Sequence, residues 1–356
     1  MLPALENLVV GQPQLRVSSL LIADDVPPSM EPLLAFPPRP RLPPELLLRI
    51  VECVVPANPR ALMPASHIVT KTLLSLTRVS RATHGHASNL LRQRCLFVDS
   101  GSRLACVLAC MARLVPTLPP VVSLRHVTSL YLAPFGPSLV DIQTAERTRQ
   151  LLCEVSDTLR RLVVHMPFSS LDPIVDDHLA VRRTLRQGFE QLLWLEEFVC
   201  LGEYPALTVP EAHTDVWRLW PNLRRLALFG VPVDSHWLWW DIATLPELAH
   251  VVLARPQNVT STNIKDEYFH KLPRQDSRLS RAIRIVLVEA AQEMAVLDTA
   301  RWREIDPADL MTVELYKVPV VFYRQETAQE LVTDLVKRGA LQGVLWSWTG
   351  DKAGES

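Results

Sequence analysis

The hexapeptide Leu223-Arg224-Arg225-Leu226-Ala227-Leu228 is one of six similar stretches spread along the chain. The other five occupy residues 127–132, 159–164, 195–200, 248–253 and 282–287. The fourth residue of each copy is apolar, and these residues follow one another at steps of 32, 36, 28, 25 and 34. Apolar residues on alternate positions of so short a run are typical of a β-strand. The copies therefore predict six strands at the spacing of a repeating unit.

Helical patterns lie between several of these strands, at residues 142–155, 179–194 and 234–244. A strand followed by a helix, repeated once per unit, indicates a solenoid. The steps are longer and less regular than the ~20–29 residues of standard leucine-rich repeats. We therefore expect an irregular leucine-rich-repeat-like α/β solenoid. A single α/β domain shows the same alternation of strands and helices and is the alternative.

The amino-terminal part of the chain has a different character. Eight of the 29 prolines fall within residues 1–40, with little apolar periodicity, which predicts a poorly ordered leader. From Pro43 onward, apolar residues recur at three- and four-residue spacing, which predicts an amphipathic helix, a second short helix around residues 72–79 and a third helix from Ser80 to about Leu96. The expected organisation is a leader at 1–39, a helical module at 40–96, a linking helix within 97–120, the repeat region at 121–345 and a flexible tail at 346–356.

Composition excludes several classes of function. The 37 basic and 38 acidic side chains give a net charge of −1, so the chain lacks the basic surplus that neutralises nucleic-acid phosphates. No run of about 18 apolar residues marks a membrane span. The 11 glycines include no two separated by a single residue, which excludes the glycine-rich loops that hold dinucleotides. We expect no nucleic-acid partner and no membrane partner.

Side chains that could carry catalysis or bind a metal are scattered. The six cysteines include no CxxC pair, and the histidines and acidic residues show no spacing typical of a metal site or a catalytic triad. The first 30 residues lack a basic region followed by a compact apolar core, so we expect no secretory signal. We predict a non-enzymatic protein of the cytoplasm or nucleus, without cofactor, metal or catalytic residues.

Two stretches resemble a known motif. Leu42-Pro43-Pro44-Glu45-Leu46-Leu47-Leu48-Arg49-Ile50-Val51 resembles the LPxELLxxI opening of the F-box, and Leu73-Leu74-Ser75-Leu76-Thr77-Arg78-Val79-Ser80-Arg81 resembles its LxxLxxVSR centre. With the leucine-rich region behind them, the chain is similar to fungal F-box-containing proteins of unassigned substrate. The resemblance covers roughly residues 40–96 and departs from the family at a long loop over residues 56–65 and at Thr83, where an aromatic residue is usual.

The resemblance implies a three-helix module that docks on a Skp-type adaptor and, through it, on a cullin–RING ubiquitin ligase. The repeats would then bind an unknown protein substrate. A leucine-rich interaction scaffold without ligase association is the alternative. The residues that match adaptor-facing positions of the family are Leu42, Pro43, Glu45, Leu46, Ile50, Leu74, Leu76, Val79, Ser80 and Arg81.

Two features of the repeat region suggest a substrate-binding surface. Five of the nine tryptophans fall within residues 217–240, where they could form a binding hot spot or fill the space between repeats. Paired arginines lie in two of the hexapeptides, at 160–161 and 224–225. Arginines in register would form a basic stripe suited to an acidic or phosphorylated segment, and scattered solvated arginines are the alternative. The candidate substrate-binding residues are Arg161, Arg225, Trp237, Trp239 and Trp240.

Overall fold

The computed structural model describes residues 42–111, 127–273, 275–290, 297–318 and 327–353. The expected leader lies outside these ranges, as do residues 112–120 of the expected linking segment. Internal contacts divide the chain into two units, residues 1–42 and 43–356, and every element below belongs to the second unit.

Eleven α-helices and a nine-stranded sheet make up the described part of this unit. The helices are α1 (Pro44–Val54), α2 (Ile68–Leu76), α3 (Arg81–Arg94), α4 (Gly101–Met111), α5 (Ile142–Val155), α6 (Pro173–Leu179), α7 (Val181–Phe189), α8 (His236–Thr244), α9 (Ile264–Phe269), α10 (Trp302–Ile305) and α11 (Ala328–Gln342). The strands are β1 (Phe97–Val98), β2 (Ser129–Leu132), β3 (Arg161–Val164), β4 (Glu197–Cys200), β5 (Arg225–Phe229), β6 (His250–Ala254), β7 (Ile283–Ala290), β8 (Met311–Val318) and β9 (Asp351–Lys352).

The mixed α/β class is confirmed, and each of the six hexapeptides contributes a strand, from β2 to β7. The strands lie side by side in chain order, each of β2–β8 parallel to the one before it, and β9 is antiparallel to β8. A doubly wound sheet reverses its strand order at one point. The described strands show no such reversal.

One face of the sheet packs against the helices that connect the strands. The fourth residues of the hexapeptides, such as Phe198 and Leu226, are buried there with Trp217, Trp220 and Trp239. The rings of Phe198 and Trp220 meet edge to face at 4.9 Å. Trp220 Nε1 donates a hydrogen bond to the Phe189 carbonyl oxygen at 2.9 Å, so the large ring is buried without losing a polar partner.

The opposite face of the sheet is covered by α11. Val332, Val336 and Ala340 recur every four residues along this helix and are buried in one cluster with Val199 and Val252 of the strands. Thr327 and Glu330 form a capping box at the start of α11, and Gly343 ends it with a φ of +73°. Both faces of the sheet are therefore covered by the chain itself.

The helical module of α1, α2 and α3 has a small core of its own. Val51, Leu73 and Ala87 are its buried members. The long loop after α1 packs back onto the module and onto α11, since the amide of Met63 donates to the Arg94 carbonyl at 2.8 Å and that of Leu62 to the Leu341 carbonyl at 2.7 Å.

Two of the expected boundaries differ from the structure. The segment expected to be only a linking helix begins with β1, which pairs with β2, so the sheet starts before residue 121. The segment expected to be a flexible tail from residue 346 is structured as far as it is described. Trp346 is buried, and the amide of Ala353 donates to the Val313 carbonyl at 2.9 Å, because β9 pairs with the edge strand β8.

Candidate adaptor-binding and substrate-binding surfaces

Helix α1 carries apolar side chains on two of its faces. Val51 is buried against α2 and α3, while Leu46 and Ile50 are each 50% exposed. Residues four apart lie on the same side of a helix, so Leu46 and Ile50 form one exposed apolar face. Pro43 occupies the N-cap position, and the carboxylate of Glu45 lies in the first turn, where the helix dipole favours negative charge.

The segment from α2 to α3 also leaves apolar side chains exposed. Leu74 and Val79 are exposed, while Leu76 is half-buried against the small core. Ser80 and Arg81 are exposed at the start of α3. Leu42 is exposed too and belongs to the first unit of the chain. Nine of the ten residues matched to adaptor-facing positions are thus exposed in the structure, and Leu76 is the half-buried one.

Thr83 has a local structural role. The Ser80 hydroxyl accepts a hydrogen bond from the Thr83 amide at 3.2 Å, and Thr83 Oγ1 accepts one from the Ser80 amide at 3.0 Å. This reciprocal pair is a capping box that satisfies two backbone donors of the first turn. Thr83 is buried, so the departure from the F-box pattern at this position gives α3 a well-formed start.

The three candidate tryptophans have different environments. Trp239 is fully buried, and its Nε1 donates to the Val233 carbonyl at 2.6 Å. Trp240 is half-buried against the same core. Trp237 is 67% exposed, and its ring meets that of His236 edge to face at 5.6 Å. Helix α8 thus leaves Trp237 exposed to solvent, while Trp239 fills the core.

The candidate arginines Arg161 and Arg225 lie in one row across the sheet, with Glu197 between them. Arg161 Nε lies 2.6 Å from Glu197 Oε1, and its guanidinium also donates to the carbonyl of Ala340 near the end of α11. Arg161 is buried, so the structure uses it internally. Arg225 Nη1 lies 3.6 Å from Glu197 Oε2. The basic stripe is therefore interrupted by an acidic side chain.

This row continues beyond the residues chosen from the sequence. His250 and Arg284 are the next members in register, and Arg284 forms two hydrogen bonds with Glu314, at 2.8 and 2.6 Å. Every member is the third residue of its hexapeptide. Aligning the six copies by position would have identified Glu197, His250 and Arg284.

A cavity of about 1020 Å³ lies where β2, β3 and β4 end beside α11. Its lining includes His165 and Lys337, and the Tyr131 hydroxyl lies 3.5 Å from His165 Nδ1. Burial first, and then the charge of Lys337, lowers the pKa of His165, which favours the neutral imidazole. Within the described ranges, no three His, Cys, Asp or Glu side chains gather as metal ligands would.

Comparison with known proteins adds no relative. No family model matches the chain, and neither a curated protein nor a solved structure matches it. Among the helices of the described residues, none combines the length and apolarity needed to cross a bilayer.

Proposed function

We propose that this protein is an F-box-like substrate-recognition subunit of an SCF-type cullin–RING ubiquitin ligase. The module of α1–α3 docks on a Skp-type adaptor, and the region behind it binds a protein substrate. The observation that carries the proposal is the exposed apolar face of Leu46 and Ile50 on α1. These side chains match adaptor-facing positions of the F-box pattern, and half of the surface of each is exposed.

The energetics favour a partner for this face. Burying a side chain of the size of leucine or isoleucine stabilises a complex by about 1.5–3 kcal/mol when the whole side chain leaves water. Leu46 and Ile50 are half exposed, so each offers about half of that range. Leu74 and Val79 add further exposed apolar surface in the same module.

The architecture behind the module supports an irregular leucine-rich-repeat-like solenoid. Its strands follow chain order in one parallel sheet, and connecting helices such as α5 and α7 cover one face. Each unit of such an array packs only on its neighbours and can vary in length, which accommodates the uneven steps of the hexapeptides. Arrays of this kind serve as extended binding surfaces.

The mechanism is one of proximity. A subunit that holds a substrate and an adaptor together places the substrate close to the ubiquitin-loaded enzyme, so the transfer occurs at a high effective concentration. The chemistry belongs to the partner enzyme, and this chain supplies two binding surfaces and the distance between them.

Co-expression with a fungal Skp-type adaptor, followed by size-exclusion chromatography, tests the proposal. We expect a 1:1 complex that Ile50→Asp abolishes, because the aspartate places a charge in an apolar interface. Arg49→Asp is the matched control, since Arg49 is exposed beside Ile50 and we expect it to leave the complex intact. Circular dichroism verifies that each variant is folded. A folded wild-type chain that elutes alone, or equal co-elution of both variants, would contradict the proposal.

One observation favours the alternative of a scaffold without ligase association. Leu62, in the long loop of the helical module, is buried in the cluster beneath α11, and the amide of Tyr131 in β2 donates to the carbonyl of Leu96. The module therefore covers the first end of the sheet, as terminal caps of repeat proteins do. In that case the wild-type chain elutes without the adaptor.

A further inference from the structure

The row of third hexapeptide residues carries a surplus of positive charge. Arg161, Glu197, Arg225, His250 and Arg284 are neighbours in register across β3–β7. Arg60, from the loop between α1 and α2, joins them, since its Nε lies 3.8 Å from Glu197 Oε2. With Glu314 beside Arg284, four arginines face two glutamates, which leaves two positive charges in excess.

The arginines at the ends of the row are occupied by internal partners. Arg284 binds Glu314 and the carbonyls of Trp346 and Trp348. Arg161 binds Glu197 and the carbonyl of Ala340. These carbonyls belong to the end of α11 and the turns after it, and the carboxyl end of a helix favours positive charge.

The middle of the row is less well satisfied. Arg60 and Arg225 approach the same carboxylate oxygen of Glu197, at 3.8 and 3.6 Å, which is beyond hydrogen-bond length. Nε of Arg225 is a buried donor with no hydrogen-bond partner among the described residues. The same holds for Nη1 of Arg161, at the end of the row. The Arg161 side chain is only 5% exposed, so solvent does not satisfy this donor. Buried donors without acceptors are costly and rare.

Burial and mutual repulsion both lower the pKa values of the cations in the middle of the row. Burial lowers the pKa of Arg225 most and the charge of Arg60 lowers it further, whereas Glu197 and Glu196 raise it. Burial also lowers the pKa of His250, followed by the charges of Arg225, Arg284 and Arg60. The lowered pKa favours the neutral imidazole of His250, which can donate one hydrogen bond. An additional anion would relieve the repulsion.

The middle of the row is open to solvent. The side chains of Arg60 and Arg225 are 42% and 24% exposed. We infer that Arg60, Arg225 and His250 bind the phosphate monoester of a phosphorylated partner segment. A phosphate monoester carries about −1.5 to −2 charges at pH 7 and offers three acceptor oxygens. It matches the excess of two positive charges and the arginine forks better than a carboxylate, which carries one negative charge.

The identification of that segment as substrate rests on the proposed function, whereas the anion site itself is independent of the adaptor. Its residues come from the loop after α1 and from β5 and β6, and they do not include the exposed apolar face of α1. Anion binding and adaptor binding can therefore be measured separately, and each can fail while the other succeeds.

Calorimetric titration of the full chain with N-acetyl-phosphoserine amide at constant ionic strength tests the inference. We expect saturable binding that is at least tenfold weaker in Arg225→Gln and in Arg60→Gln. Arg224→Gln is the matched control, since Arg224 is exposed and lies 3.7 Å from Glu247 rather than in the row. It should bind as the wild type does. N-acetyl-serine amide should not bind, and inorganic phosphate in place of the peptide derivative tests whether the phosphoryl group alone suffices.

Arg60→Gln keeps the test decisive if Arg225→Gln fails to fold. Arg60 is more exposed than Arg225, and glutamine keeps the methylene groups nearest the backbone. Absence of saturable binding to the wild type would overturn the inference. Equal affinities of Arg225→Gln, Arg60→Gln and Arg224→Gln would overturn it as well, since binding would then not depend on the row.

Discussion

The helical module and the sheet region bury their apolar side chains to very different extents. In the module, the buried core consists of Val51, Leu73 and Ala87, and apolar residues such as Ile50 stay exposed on the outside. In the sheet region, both faces of the sheet are packed, one by connecting helices and the other by α11. A region whose apolar faces are packed offers little apolar surface to a partner, whereas an exposed apolar patch marks a candidate interaction surface.

The largest effect is expected from a substitution that creates a cavity in the core of the sheet region. Trp220→Ala removes a fully buried ring and leaves the Phe189 carbonyl without its donor, so we expect a loss of about 3–5 kcal/mol in the free energy of unfolding. Urea unfolding followed by tryptophan fluorescence reports on the sheet region, because all nine tryptophans lie between residues 194 and 348. The control is Trp194→Ala, an exposed ring from the same region, with an expected loss below about 1 kcal/mol. Equal losses of unfolding free energy in Trp220→Ala and Trp194→Ala would contradict the view that the buried core stabilises the sheet region.

A buried carboxyl in the sheet region predicts a pH effect of intermediate size. Burial raises the pKa of Asp241 to about 6, opposed by Arg218 at 3.2 Å and assisted by Asp215. Because this value exceeds the unfolded pKa of ~3.9, the folded state binds the proton more tightly. The stabilisation from this group is therefore complete below about pH 4 and is lost as the pH rises through 6.

Asp241→Asn should remove this dependence. The wild type, relative to the variant, should lose about 2 kcal/mol of unfolding free energy between pH 4.5 and pH 8. Urea unfolding at the two pH values measures the difference. Asp157→Asn, an exposed carboxyl, controls for the change of charge. A wild-type-minus-variant difference that is constant with pH would show that Asp241 is not the group responsible.

The smallest effect is expected in the helical module. Ser80→Ala removes the hydroxyl of the capping box, which should cost about 1 kcal/mol. Hydrogen exchange should show faster exchange of the α3 amides and unchanged exchange in β4–β6. Ser75→Ala is the control, because its hydroxyl donates to the Lys71 carbonyl within α2 and caps no helix. Faster amide exchange throughout the sheet as well would indicate that the two regions unfold together.

Much of this fold was predictable from the hexapeptides. The copies identify β2–β7, because apolar residues at fixed positions of a short run define a strand wherever the run occurs. β8 was missed because its copy of the pattern, Leu310-Met311-Thr312-Val313-Glu314-Leu315, has a charged residue at the fifth position, where none of the six copies has one. The cover provided by α11 was missed too. The sequence does contain a signal for a cover on the second face of the sheet, the apolar run Leu226-Ala227-Leu228. Consecutive apolar residues in a parallel strand indicate burial on both faces.

The candidate surfaces were predictable to a lesser degree. A motif identifies which residues of the module match adaptor-facing positions, and nine of these ten residues are exposed in the structure. For the row of third hexapeptide residues, the sequence pattern placed Arg161 and Arg225 on a common face. It did not identify Glu197, His250 and Arg284 as their neighbours. Arg60 comes from a loop more than 100 residues away along the chain, and only the fold brings its guanidinium to Glu197. Tertiary contacts of this kind have no local signature in the sequence.

The loop after α1 also has a consequence for the order in which the chain folds. Its amide at Leu62 needs the carbonyl of Leu341, and the Asn58 side chain donates to the carbonyl of Gln342 at 2.8 Å, a separation of 284 residues. At roughly 5–20 residues per second of synthesis, these partners emerge from the ribosome on the order of 14–60 s after the loop. During that interval the apolar side chain of Leu62 has no cover from α11. Chaperones therefore have a long period in which to bind the nascent chain before its two ends join.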